Sequence, residues 1–600
     1  MSDRVLRVRR LGSVPYAEAL SLQQGLARRA DDDYLLALEH PHVYTLGVRA
    51  DPAHVLVDPA EIGASLVVTD RGGDVTYHGP GQLVVYPILT VDDDPGAGRR
   101  HVHQLEQVVI DALTELGVER AGVVGRLPEY PGIWVGVDGP KPRKVAAVGV
   151  RTVRQERPAG ASSAGWGSRR GQLEVRRRTL HGVAINVDCD LSMFEHIVPC
   201  GIGHLPVTSL RAEAVSCGVD EVAEAIIRRA SLEWAIGGRV DGQNVTALTA
   251  SPPFASPPAE PAQSEPAQSE PAQSEPTRRP VPVRLSSTEP AALRRIRRAG
   301  VDPQEAVPLR APKPSWLRVP ARMGTGYLQL GRTVHGLGLN TVCEEAGCPN
   351  IYDCWSEGTA TFMINGARCT RACGFCKVDT RRPLPLDPSE PDRVGGAVAR
   401  MGLAHAVVTC VARDDLGDGG AGAMAETVRA IRRHSPGTRV EVLISDCKGD
   451  ERALATIFES GPDVLNHNIE TVARLQRAVR PSAGYARSLA VLARGADAGL
   501  VTKSGLMVGL GERREEVLST LADLAAVGVS IATVGQYLRP SADHLPVMRW
   551  WTPQEFDELQ TAGRSLGLAH VESSPLTRSS YHAHSAAEAV ENGPLTSSPV

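Results

Sequence analysis

Over the first 240 or so residues, apolar positions change period repeatedly without a strict order. Runs at 66–68 and 83–86 predict strands, with further strand-like runs at 132–137, 145–150 and 182–187. Leu105, Val108, Val109, Ala112, Leu113 and Leu116 recur at helical spacing, which predicts an amphipathic helix, and a second helix is expected over 220–234. Strands and helices do not alternate strictly, so the pattern predicts an α+β domain rather than a doubly wound sheet. From residue 361 the rhythm becomes regular. Strand-like runs at 361–364, 404–412, 439–444, 463–469, 501–508 and 530–537 alternate with helical segments at 424–433, 451–458, 485–496, 514–527 and 553–566. About six βα units predict a complete or partial parallel α/β barrel of TIM type, (βα)6, with its chemistry at the C-terminal ends of the strands.

One segment belongs to neither rhythm. Residues 251–282 are dominated by Pro, Ala, Ser, Glu and Gln and carry Pro-Ala-Gln-Ser-Glu three times, starting at Pro261, Pro266 and Pro271. Too few apolar groups are present to offset the entropy of ordering, so a disordered, extended linker is expected. The expected division is therefore multidomain: residues 1–240, a linker over 241–285, and residues 286–600 with a short disordered tail after 585. Two or more domains also follow from 600 residues, too many for one hydrophobic core.

Composition narrows the function classes. A formal net charge of −4 argues against non-specific nucleic-acid binding, which needs a basic excess. No run approaches the length of a membrane span, and residues 1–10 (MSDRVLRVRR) lack the apolar core of a secretory signal. A cytoplasmic protein with no nucleic-acid or membrane partner is expected. In a reducing compartment, eleven cysteines point to metal or catalytic use rather than disulfides.

Six of those cysteines lie between Cys343 and Cys376. Cys343, Cys348 and Cys354 form C-x4-C-x5-C, and Cys369, Cys373 and Cys376 form C-x3-C-x2-C. A structural zinc site takes four ligands, usually as two pairs. Thiolate triplets instead suit iron–sulfur clusters that leave one iron without a protein cysteine. The second triplet directly follows the first strand of the βα array, on the side expected to be reactive. Cys410 and Cys447 lack ligand spacing and are expected as small core residues, and Cys189 and Cys217 as structural ones.

C-x3-C-x2-C after the first strand of such an array resembles the radical S-adenosylmethionine superfamily. The resemblance implies that Cys369, Cys373 and Cys376 hold a [4Fe–4S] cluster whose open iron binds S-adenosylmethionine, which one electron cleaves to a hydrogen-abstracting 5′-deoxyadenosyl radical. The first triplet, in CEEAGCPNIYDCW with Asn350 and Trp355, closely resembles lipoyl synthases. The same family is matched by NHNIETV (466–472), GQYLRPS (535–541), HLPV (544–547) and RSSYHA (578–583). By that resemblance Cys343, Cys348 and Cys354 hold a second [4Fe–4S] cluster, consumed as sulfur donor, with Ser580 as fourth ligand and Ser579 its neighbour. Two [4Fe–4S] clusters and S-adenosylmethionine are thus the implied cofactors, with a reducing donor such as ferredoxin or flavodoxin. Ala412 stands where the family usually has an acidic residue, which predicts a weaker cofactor contact there. Gly509 to Glu512 (GLGE) are expected to approach S-adenosylmethionine through backbone.

The N-terminal half has its own cluster of signals. RGGDVTYHGPGQLVVY (71–86) places glycine pairs around Arg71 and His78, and Lys144, His181 and Cys200 follow in KVAAVGV, HGVAINV and PCGI. The combination resembles lipoyl(octanoyl) transferase, a relative of biotin and lipoate protein ligases. It implies Cys200 as acyl-accepting nucleophile, with Lys144 favouring its thiolate and handling protons on the incoming amine. Arg71, Gly72, Gly73 and Asp74, then Val75, Thr76, Tyr77 and His78, would line the acyl site. Ala147, Val148 and Gly149 and the run Gly182, Val183 and Ala184 would complete it. Between Val150 and His181 the chain carries an insertion, expected as a flexible, solvated surface loop, with contact between its basic end, Arg169 to Arg178, and an acidic carrier protein as the alternative.

Together the resemblances imply a bifunctional acyltransferase and sulfurtransferase of lipoate biosynthesis. Octanoyl would pass from octanoyl-acyl carrier protein to a lysine of lipoyl domains of 2-oxoacid dehydrogenase complexes or glycine cleavage H protein. Two sulfur atoms would then enter at C6 and C8, the linker keeping one site near the other's product. Two other readings remain open: a radical enzyme with an auxiliary cluster acting on another substrate, and an N-terminal half that only binds carrier or acceptor protein.

Overall fold

The computed structural model describes residues 4–158, 173–244, 290–318, 332, 336, 339–341, 350, 351, 359–581 and 583–591. Cys343, Cys348, Cys354 and Trp355, the basic residues Arg169 and Arg170, and the stretch 245–285 lie outside the described residues.

In the N-terminal half the strands are β1 (Leu6–Ser13), β2 (Asp33–Glu39), β3 (Val43–Leu46), β4 (Ser65–Val68), β5 (Val75–His78), β6 (Gln82–Ile88) and β7 (Thr90–Val91), followed by β8 (Val124–Leu127), β9 (Tyr130–Val135), β10 (Arg143–Pro158), β11 (Leu173–Asn186) and β12 (Val240–Asn244). They build a mixed sheet in the order β12-β1-β2-β6-β11-β10-β9-β8, with β7 on β11, and a small sheet β4-β3-β5 beside it. Helices Ala97–Glu115 and Val219–Trp234 bury their apolar stripes against one face of the large sheet, and helix Tyr16–Arg29 lies against the other. The expected α+β class holds. The stripe at Leu105 to Leu113 is buried as its helical spacing requires.

Three expectations change here. Residues 241–244, assigned by composition to the linker, are the body of β12, which pairs in parallel with β1 from Leu6↔Val240 to Arg10↔Asn244. Short and polar, this strand gives no apolar signal; the Asp241 carboxylate receives Arg7 and Arg9 and anchors it. The insertion after Val150 is not wholly a loop: β10 and β11 remain paired out to Pro158↔Leu173. Its basic end is structural as well. Arg178 has 0% side-chain exposure against Asp33 at 2.9 Å, so its guanidinium is spent inside the fold, while Arg177 pairs with the partly exposed Asp93 at 2.8 Å.

The C-terminal half is built on β13 (Asn340–Thr341), β14 (Thr359–Ile364), β15 (His405–Cys410), β16 (Arg439–Leu443), β17 (Val464–Asn466), β18 (Val501–Val508), β19 (Ile531–Gln536) and β20 (His570–Ser574). They pair in sequence order. β14 to β20 are all parallel, and β13 runs antiparallel to β14. β20 was not expected: HVESS is half polar, and it becomes a strand because β19 offers it an edge, from Ile531↔His570 to Gly535↔Ser574. Helix Ala583–Glu591 replaces the start of the expected disordered tail; its alanines favour helix, and Ala586 and Ala587 are buried. Among the described residues no helix is long and apolar enough to cross a membrane.

Candidate functional site

In the N-terminal half, one ladder assembles most of the expected acyl site. β10 and β11 set Ala147 opposite Ala184, Val148 opposite Val183 and Gly149 opposite Gly182. The Arg71 loop crosses this hairpin, with Gly72 N–H donating to Val150 O at 3.4 Å. A Cβ on Gly149 would meet Gly72 O at 2.9 Å and Arg71 Cδ at 3.3 Å, so glycine is what lets the loop lie this close. Arg71 is buried and held by Thr45, through Nε to Oγ1 at 3.0 Å and Nη2 to the carbonyl at 2.6 Å. Burial pushes its pKa below the usual arginine range, and Cys200 is near enough to pull the other way.

β5 carries Val75 to His78 into the interior. His78 Nδ1 meets Gln82 Oε1 at 2.8 Å, and its ring stacks on Tyr16 with centroids 5.9 Å apart. Desolvation, with His40 and Arg71 nearby, drives its pKa well below the ordinary histidine value, so this ring is neutral. His181, at φ 61, donates its backbone N–H to Gln23 Oε1 at 2.8 Å and pairs through Nε2 with Asp70 at 2.7 Å.

Cys200 sits in a tight Pro199–Gly201 turn at φ 55 and ψ 20, a conformation costly for a residue with a Cβ and common where a side chain is presented for chemistry. The turn leans on a pair that sequence reasoning missed: His54 Nδ1 lies 2.6 Å from Asp74 Oδ2. A Cβ on Gly201 would stand 2.8 Å from that same oxygen and 3.5 Å from His54 Cε1. His54 is brought there by backbone, as Val198 N–H donates to its carbonyl at 2.8 Å and Val55 bridges Ile197. Nothing in DPAHVLVDP announces such a histidine. Lys144 is buried with Nζ over the Trp134 ring, 4.8 Å from its centroid. Its backbone pairs with Pro206 and Thr208, just beyond Cys200.

In the C-terminal half, the second cysteine triplet occupies the loop after β14, pinned from five directions. Cys369 N–H donates to Asp379 O at 2.8 Å, Thr370 N–H to Ala412 O at 3.0 Å, and Gly374 N–H to Val479 O at 2.8 Å. Leu545 N–H donates to Gly374 O at 2.9 Å, and His544 Nε2 meets Cys376 O at 2.9 Å. The HLPV motif is therefore a clamp on the cysteine loop. Arg371 forks onto Asp414 at 2.8 Å and reaches Asp446 at 2.6 Å, tying the loop to the ends of β15 and β16. Ala412, where the family usually has an acidic residue, holds the loop through its carbonyl, which accepts from Thr370 N–H and Oγ1.

These residues fit an iron–sulfur cluster. Burial pushes the Cys373 thiol up to about 12 and Cys376 upward, each raised further by its neighbouring cysteines, a cost that bound iron removes by taking thiolates. Among the described residues no group of three or more ligating side chains is placed to hold a single metal ion. Cluster cysteines bind different irons and stand wider apart than ligands of one ion. Sequence reasoning left Glu470, of the NHNIETV motif, unassigned. It sits at φ 66 with its carboxyl pushed up by burial, and its charge and that of Arg480 act on Cys373 in opposite senses. The GLGE segment does not offer its first amides to a ligand: Glu512 accepts those of Gly509 and Leu510.

The first triplet's cysteines lie outside the described residues, but Asn350, two positions after Cys348, is buried and donates to Leu576 O at 2.8 Å. That contact brings its segment to the one holding Ser579 and Ser580, both half-buried.

Residues 15–157 and 167–231 match the family model of the lipoyl protein ligase A/B catalytic domain, and the gap between the two stretches falls inside the insertion. Residues 363–524 match the radical SAM superfamily. The lipoyl synthase of Rubrobacter xylanophilus is 54% identical over 300 residues, 49% of this chain and 94% of that protein. That of Mycobacterium tuberculosis is 54% identical over 271 residues, 45% of this chain and 87% of its own. Among solved structures, a bipartite lipoate protein ligase with its E2 lipoyl domain from Thermoplasma acidophilum overlaps at TM-score 0.31 and 20% identity, covering 40% of this chain and 88% of that one.

Proposed function

The chain belongs to the lipoyl synthase family, and on that premise we propose that it makes a lipoyl group on an acceptor protein in two steps, one in each half. In the first, Cys200 Sγ attacks the thioester carbonyl of an octanoyl-carrier protein, forming an octanoyl-cysteine thioester and releasing the carrier thiol, which takes up a proton. The ε-amine of an acceptor lysine then attacks that thioester, and the amide forms as Cys200 leaves. Lys144 takes the proton lost by the amine, while the Gly72–Gly73 backbone and the facing Ala147–Gly149 and Gly182–Ala184 rungs hold the acyl chain. The observation that carries this reading is Cys200 in its φ 55 turn against the His54–Asp74 pair and within charge range of Arg71.

In the second step, the same acyl chain receives sulfur at C6 and C8. Cys369, Cys373 and Cys376 would hold a [4Fe–4S] cluster, and Cys343, Cys348, Cys354 and Ser580 a second one that provides the sulfur. The bound cofactors supply one-electron cleavage of S-adenosylmethionine, hydrogen abstraction from carbon, and the sulfur itself. The chain's own share is positional: Arg371, His544 and Leu545 fix the loop, and the buried strand ends around it keep water away. Octanoyl-acyl carrier protein, lipoyl-accepting domains and a low-potential electron donor are the partners that this chemistry requires.

Octanoyl-carrier protein mixed with the chain without ATP should leave an octanoyl adduct on wild-type protein and none on the Cys200→Ala variant, read by intact mass. An absolute need for ATP would instead point to ligase chemistry. Anaerobic protein should hold about eight irons, and S-adenosylmethionine should convert an octanoylated acceptor to the doubly thiolated product. About four irons with no change in acceptor mass would remove the sulfur-insertion step.

A further inference from the structure

The two halves meet on a face that resembles the inside of one protein. Arg9, on β1, has 2% of its side chain exposed, as has Asp523, on helix Arg514–Ala526 of the other half. Arg9 Nε lies 2.7 Å from Asp523 Oδ2 and Nη2 lies 2.7 Å from Oδ1. The same carboxylate accepts Tyr34 OH from the N-terminal half at 3.2 Å and Tyr485 OH from its own half at 2.8 Å. Ser519 and Asp241 complete the ring around the guanidinium.

Beside this knot, helix Tyr16–Arg29 lies along helix Tyr485–Asp497. Glu18 pairs with Arg487 at 2.7 Å, Ser21 Oγ accepts Arg494 Nε at 3.0 Å, and Arg29 pairs with Asp497 at 2.6 Å. Between these polar rungs Leu22 and Leu26 share one buried apolar cluster with Leu489 and Ala493. Gly25 is the point of closest approach, since a Cβ there would stand 2.8 Å from the Ala493 Cβ.

We propose that residues 4–244 and 290–591 form a permanent non-covalent complex through this face, so that the halves stay joined in one arrangement when the chain between them is cut. A buried ion pair adds little net stability, because both charges regain water on opening, but it fixes which partner and which register are accepted. The shared apolar cluster supplies the affinity. The partner each half fits is the other half, and chain 245–289 is not what holds them. Helix Tyr16–Arg29 also touches the acyl site, with Gln23 on His181 N–H and Tyr16 stacked on His78, so docking sets one site against the fixed frame of the other.

The test uses the full chain with a protease recognition sequence replacing the Pro271 repeat. After cleavage, gel filtration with light scattering at low micromolar concentration should give one species containing both halves. Separation of the wild-type halves under those conditions overturns the proposal. A cut Gly25→Leu chain, whose new side chain points at the other half and not into its own core, should bind at least a hundredfold more weakly, with circular dichroism of each half unchanged. If cut Gly25→Leu and cut Asp523→Ala chains both co-elute as tightly as wild type, this face is not the joint and the proposal is equally overturned.

Discussion

The side-chain amide of Asn350 donates to the carbonyl of Leu576 at 2.8 Å, across 226 residues of sequence. That bond fastens the segment of the first cysteine triplet to the chain just before Ser579 and Ser580. Asn350→Leu leaves the half-buried Leu576 carbonyl without its donor, at a cost of about 1 kcal/mol. Iron content should fall toward about four per chain, with S-adenosylmethionine cleavage retained. Iron and sulfide quantitation beside a cleavage assay reads both; full iron in the variant would show that the tie does not matter to the second cluster.

Arg371 connects the other triplet to two strand ends through Asp414 and Asp446. Lysine keeps the charge and loses the fork, and the Asp446 carboxylate has 0% side-chain exposure. Arg371→Lys should therefore destabilise the chain by up to about 3–5 kcal/mol and lower the rate of S-adenosylmethionine cleavage at least tenfold. Thermal melting and product quantitation check this, and an unchanged cleavage rate would free Arg371 of any positioning role.

His54 and Asp74 support the Cys200 turn. His54→Gln removes a ring able to carry a proton and should slow octanoyl transfer by about 10²-fold, within the range for a general acid–base group. Single-turnover transfer followed by intact mass checks this. An unchanged rate would free His54 of any role in transfer.

Arg178 is spent inside the fold. Arg178→Ala should leave the buried Asp33 with only Thr90 and the Arg4 guanidinium at 3.5 Å and cost up to about 3 kcal/mol, seen as a lower melting temperature. Salt dependence of transfer from the carrier protein should stay as in wild type. A weakened salt dependence would return the β11 arginines to a docking role.

His101 is buried under Trp234, with no hydrogen-bond partner among the described residues on either ring nitrogen, and desolvation lowers its pKa to about 4. Between pH 4 and the unfolded value of about 6.5 the unfolded chain binds the proton and the folded chain does not. Stability from this group is thus complete above pH 6.5 and is lost as pH falls toward 4, by about 3 kcal/mol at most. His101→Leu should flatten that part of the melting-temperature profile between pH 7 and 5, and an unaltered slope would sink the assignment.

Much of the fold was legible because its signals are local. The βα rhythm from residue 361 follows from apolar runs that must be buried on both faces of a parallel sheet, and the cysteine spacing of 369, 373 and 376 needs no tertiary information. Of the strands outside the runs singled out in the sequence, β12 and β20 are short and polar and pair with a neighbouring strand edge. By contrast, β1, β2, β3, β5, β7, β8 and β13 went unseen although several of them are apolar and buried. His54 carried no signal because a histidine in a surface turn looks the same whether or not a carboxylate waits across the fold.

The sequence by itself determined which families the two halves resemble and which side chains are the candidates for nucleophile, cation and thiolate donors. Tertiary structure alone decided how those groups are held. The guanidinium of Arg178 read as solvated, or as part of a docking surface, until burial against Asp33 used it. Likewise, the Pro-rich segment read as the device joining two enzymes. The joint is Arg9 on Asp523 with an apolar cluster around it, contributed by residues more than five hundred positions apart that no local pattern relates. Charge and burial are pairwise properties of the folded chain, and a linear pattern records only one member of each pair.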